Sequence, residues 1–190
     1  MRHSGRSVER LLIPEIVARG FVQGPRCDPS SNDPYGPFRR KSERGIELVE
    51  LHFDKNLRSQ FRLNVGVATK PFVMPFGGRV VPPEEQSVSQ TGNPFFILWR
   101  RGLIFRHWFG VPKLAKDGVS EAEFDAAVNP AIKLLPQIER LFETGKASRN
   151  MVRYPQGPLE GWGYVALCAI TVLIPFSAML WIVGWISRHL

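Results

Sequence analysis

Only two cysteines occur among the 190 residues, one in a polar proline-rich stretch (Cys27) and one in a long apolar run (Cys168). Residues in such different settings do not pair, so no disulfide framework is expected. No Asn-x-Ser/Thr acceptor occurs at any of the asparagines. Together these absences do not suit a secreted ectodomain. The four histidines, His3, His52, His107 and His189, are scattered, and neither Cys-x-x-Cys nor His-x-x-x-His spacing appears. Metal and haem sites need clustered ligands, so neither is expected. Gly77-Gly78-Arg79 is the nearest approach to a phosphate loop, and it lacks the strand before and the helix after that such a loop requires. No nucleophile elbow or kinase signature is present. The expectation is a non-enzyme with no catalytic, cofactor-binding or metal residues and no small-molecule substrate.

Proline and glycine, by contrast, are abundant, at sixteen and seventeen residues. Prolines remove backbone donors and break helices and central strands. Spread along the chain as they are, they predict a mostly irregular and α-helical protein with extended arms. The net charge is +8, and the excess is concentrated in residues 61–113, where seven Lys/Arg face two Asp/Glu. A basic surface suits anionic lipid or nucleic acid. No RNP pattern, zinc finger or basic heptad region accompanies it, so nucleic acid is not expected as a partner.

Residues 1–23 form an Arg-rich segment with Arg2, Arg6, Arg10 and Arg19 around Val8, Leu11, Leu12, Ile16 and Val17. It reads as an organelle address or as a plain surface helix. Residues 24–45, with Pro25, Pro29, Pro34 and Pro37, read as an extended arm that orders only against another surface. In a small strand and loop region, 46–94, clean alternation of apolar residues predicts a short strand around 61–67, and a second is expected around 46–53, where the phase slips between Leu48 and Val49 as a bulge or a helix would make it. Residues 95–111 interleave Trp99, Trp108 and other large apolar groups with Arg100, Arg101 and Arg106. This predicts a segment at a lipid interface, where arginine stems snorkel, or one buried against a neighbouring subunit. Residues 117–145 carry amphipathic helices around 121–144, with a capping box at Ser120 and Glu123, a second start or kink at the prolines, and a stop at Gly145.

The run from Trp162 to Ile186 contains no charged residue. At 1.5 Å per residue it reaches roughly 37 Å, enough to cross a hydrocarbon core of about 30 Å, which predicts a C-terminal transmembrane helix. Trp162, Tyr164, Trp181 and Trp185 sit where aromatic belts lie. Gly161, Cys168, Thr171, Pro175 and Ala178 form a small-residue stripe suited to helix packing. Lys146, Arg149 and Arg153 against the single Arg188 place residues 1–160 on the matrix side. The resulting expectation is a single-pass protein of the mitochondrial inner membrane, with plastid thylakoid, ER or outer mitochondrial membrane as alternatives. Its role is expected to be a non-catalytic accessory subunit of a respiratory-chain or ATP synthase complex, acting in assembly and stability. Other subunits and anionic lipid are the expected partners, and a bound phospholipid such as cardiolipin is the only expected ligand. The alternative function is a tail-anchored adaptor that recruits a cytosolic partner.

Overall fold

Alternation along Gly45–Phe53 and Arg58–Ala68 sets the architecture. In a strand, successive side chains face opposite sides, so one phase of each segment must find cover. Val49, Leu51, Phe61, Leu63 and Val65 share one face and are all but fully buried. In the computed structural model these two segments are β3 (Gly45–Phe53) and β4 (Arg58–Ala68), an antiparallel pair in register from Ile46↔Ala68 to Phe53↔Phe61. The structure describes residues 6–25, 34–54, 58–74, 77–91, 95–101, 106–114 and 118–154. Of 58, 101, 106, 107 and 112–114 it describes the backbone alone. The chain divides into two units, Met1–Tyr154 and Pro155–Leu190, and the second lies outside the described residues.

Seven strands form the main antiparallel sheet. β1 (Val22–Gln23) and β2 (Phe38–Ser42) lie outside β3, and β7 (Phe95–Leu98) and β11 (Met151–Tyr154) lie beyond β4. The seventh, β10 (Phe109–Leu114), also pairs with β4. Two small hairpins stand apart: β5 (Phe72–Val73) with β6 (Val80–Val81), and β8 (Arg100–Arg101) with β9 (Arg106–His107).

One face of the sheet is covered by helices. A π-helical turn over Val8–Leu12 continues into α1 (Ile13–Val17), and α2 spans Glu121–Thr144. Apolar residues of α2 recur three and four apart at Phe124, Val128, Ala131, Leu135, Ile138, Leu141 and Phe142, so one stripe faces the sheet. They form a single core with Val8, Leu12, Ile16 and the inward phase of β3 and β4. Ser120 and Glu123 close the start of α2 with a reciprocal capping box. At its end Gly145 takes φ 71° and its N–H donates to the Leu141 carbonyl at 2.7 Å. On the opposite face of the sheet, Val88 in a 3₁₀ turn (Val88–Gln90) covers Leu48 and Ala68.

Several sequence expectations are corrected by this arrangement. The mostly irregular and α-helical fold is replaced by a sheet-centred one, because segments that read as arm or interface are strands. Phe38–Ser42 lies within the expected arm yet pairs with β3 from Phe38↔Val49 to Ser42↔Gly45. Residues 95–111 are not one continuous element but contribute β7 to β10. The helical region is one helix running through Pro130 and Pro136 rather than two. Among the described residues no helix is long and apolar enough to cross a membrane. The expected transmembrane helix, 162–186, lies outside the described residues, as do Gly161, Trp162, Tyr164, Cys168, Thr171, Pro175, Ala178, Trp181 and Trp185. The single-pass placement in the mitochondrial inner membrane, and the membrane-bound respiratory-chain setting inferred from it, therefore find no support in the fold.

Candidate functional site at the fork of the sheet

β4 is longer than either strand beside it on one edge, and the sheet forks there. β10 pairs with its first part, through Phe109↔Phe61 and Gly110↔Gln60. β7 pairs further on, through Leu98↔Leu63 and Phe96↔Val65. Arg62 falls between the two and has no strand partner on that edge. Gly110 permits the close approach of β10: it has φ +115°, and a Cβ there would lie 2.2 Å from the Ser59 carbonyl oxygen.

Alternation places Arg62 and Asn64 on the face opposite the helices, since Phe61, Leu63 and Val65 belong to the helix-side core. The chain leaves β7 at Trp99 and returns to β10 through Trp108, so both indoles arrive at the fork. The Arg62 guanidinium carbon lies 5.6 Å from the Trp99 ring centre and 5.0 Å from that of Trp108. The two indoles meet edge to face, 6.0 Å apart at 83°. His52, the cross-strand neighbour of Arg62 on β3, stacks obliquely on Trp108 at 6.1 Å. Trp99 is anchored from behind: its N–H donates to the Asn150 carbonyl at 2.9 Å, and Asn150 Nδ2 donates to the Trp99 carbonyl at 3.2 Å. Asn150 is in turn held by Gln137 of α2. The fork is thus tied to the helical layer through Asn150 and the side-chain amide of Gln137.

The electrostatics of the fork are unlike those around Arg40, another partly buried arginine of the fold. Arg40 on β2 donates to Glu47 and to Glu139 at 2.7 and 2.8 Å and lies over Phe21. Its charge is neutralised twice. The Arg62 side chain makes no ion pair and no hydrogen bond with any described residue. Burial holds its pKa below the ordinary arginine value, opposed only by Tyr154, yet a guanidinium stays charged in proteins. Its Nε is buried and unpartnered, while the terminal nitrogens are neither buried nor bonded. Two further buried polar atoms on this face of the sheet lack partners: Trp99 Nε1 and the Oδ1 of Asn64, a residue only 7% exposed. His52 is held below its ordinary pKa by burial and by the charge of Arg62, against a smaller pull from Asp54, so it is neutral near pH 7.

The hairpin that connects the two indoles is basic. Its backbone pairs Arg100 with His107 and Arg101 with Arg106, and Arg100 is exposed. From Gln86 to Lys116 the chain has no acidic residue at all.

Of the residues expected to sit at an interface, the structure therefore brings Trp99 and Trp108 together and sets Arg100, Arg101 and Arg106 on the hairpin between them. Arg62, His52, Asn64 and Tyr154 were not anticipated. The phase of Phe61-Arg62-Leu63-Asn64-Val65 already places Arg62 and Asn64 opposite the apolar set. That two remote tryptophans flank Arg62 depends on the fork and has no local signal. Among the described residues no group of three or more metal-ligating side chains occurs. The chain was compared with family models, with curated proteins and with solved structures, and none matches.

Proposed function

We propose that this chain is a non-catalytic subunit that joins and stabilises a multi-subunit complex, and that its folded unit docks through the fork of the sheet. The observation that carries the reading is Arg62: a half-buried cation, braced by two indoles and without a carboxylate among the described residues. Removing a charge from water costs several kcal/mol unless it is paired. Arg40 shows how this fold neutralises such a group when the role is internal. A fork that keeps its cation unpaired and its terminal nitrogens accessible is poised for an anionic partner. Tryptophan and arginine at the centre of a patch are also the residue types that dominate binding energy at protein interfaces.

The test is the size of the particle that contains the chain. Full-length protein, expressed in its own cells and extracted gently, should sediment in an assembly well above the mass of one chain. The Arg62→Met form should shift toward free chain. Wild-type protein that sediments as a monomer would contradict the reading.

A further inference from the structure

We infer that the occupant of the fork is an acidic stretch of a partner protein, with a side-chain carboxylate paired to the terminal nitrogens of Arg62 between Trp99 and Trp108. The inference rests on the docking reading above and specifies its chemistry. A guanidinium presents two parallel N–H groups that match the two oxygens of a carboxylate, and such paired contacts are shorter and stronger than neutral hydrogen bonds. The bonding groups that the described part of the fork leaves accessible are N–H donors, the terminal nitrogens of Arg62, whereas Trp99 Nε1 and Asn64 Oδ1 are enclosed by the chain itself. Arg100, exposed at the base of the hairpin, extends the positive field to neighbouring carboxylates of the same stretch.

Single-stranded nucleic acid fits less well. Its recognition uses aromatic faces open to successive bases. Here the indoles stand at 83° to each other and both face the same guanidinium.

The experiment titrates the full-length chain at low salt with an acetylated peptide of six glutamates, followed by tryptophan fluorescence. The same-length glutamine peptide, vesicles of phosphatidylcholine with phosphatidylserine, and an oligothymidylate are titrated in parallel. The glutamate peptide is expected to bind and the glutamine peptide is not. Arg62→Met should weaken glutamate binding about tenfold, the loss typical of one charged hydrogen-bonded contact. Arg62→Lys should retain part of it. Arg100→Gln, at an exposed position where folding is not at stake, should weaken it severalfold. Equal binding of the two peptides, or undiminished binding by Arg62→Met, overturns the inference. So does Arg62-dependent binding of the vesicles or the oligonucleotide in place of the peptide. If the chain nevertheless sits in a large assembly that Arg62→Met dissolves, docking stands and only the acidic-peptide chemistry is lost.

Discussion

At the scale of single residues, two partly buried arginines have contrasting electrostatic settings. Arg40 is a structural cation, bridging β2, β3 and α2 through Glu47 and Glu139. Arg62 is left unpaired, and His52 beside it bears the consequence. The folded pKa of His52 lies below the ordinary 6.5, first because of burial and then because of Arg62. As pH falls, the unfolded chain takes up this proton before the folded chain does. The stability tied to a neutral His52 is therefore complete above 6.5 and is lost as pH drops from there through the folded value. A thermal melt compared at roughly pH 7 and pH 5 should show a lower midpoint at the acid end, and His52→Gln should lose less over the same interval. Equal losses in both proteins would show that His52 is not the group responsible. None of this was visible from His52 as a lone histidine in the sequence, since its setting depends on a cross-strand neighbour and on Trp108.

At the scale of elements, legibility followed burial pattern. The middle of β4 was foreseen because one of its faces is packed on helices and the other is more polar, so apolar residues alternate, whereas the phase of β3 slips because Leu48 is buried on the face opposite Val49 and Leu51. β7 was not foreseen, because it is covered on both faces: Phe96 and Leu98 pack into the helix-side core, while Phe95 packs toward Leu48 and Val88. A strand buried on both sides reads as a continuous apolar run, which periodicity does not separate from a helix. β2 was hidden by the prolines before it and by its Arg39-Arg40-Lys41 run, although Arg40 lies against Phe21 and Phe142. The capping box and the glycine stop of α2 were both legible, since those signals are local. The expected restart at its prolines failed: Pro136 lies on the exposed side of the helix, away from the packed stripe, and the helix runs through it. That proline still removes a hydrogen bond. Pro136→Ala should therefore stabilise the protein by about 1–3 kcal/mol, raising the melting midpoint by roughly 2–4 °C per kcal/mol. An unchanged or lowered midpoint would contradict this expectation.

At the scale of the whole molecule, the corrected picture is a helix-covered antiparallel sheet over Met1–Tyr154, whose opposite face holds the fork. The concentration of positive charge in the middle of the sequence was legible and acquires a location here: much of it belongs to β4, the indole-bearing connections and the hairpin between them. Composition alone had suggested a chain unable to build layers, because proline and glycine counts carry no information about how far strands extend between the breaks. The central claim is that Arg62 serves an interface and not the fold. The most direct measurement is the melting midpoint of purified full-length protein with Arg62→Met, taken without any partner. Two cation–π contacts contribute about 0.5–1 kcal/mol each at sites of this exposure, while removing an unpaired, partly desolvated charge returns at least a comparable amount. The account predicts a midpoint equal to or above that of the wild type. A fall of more than about 4 °C, equivalent to at least 1 kcal/mol for a chain of this length, would show that Arg62 holds the fork together and would contradict the account.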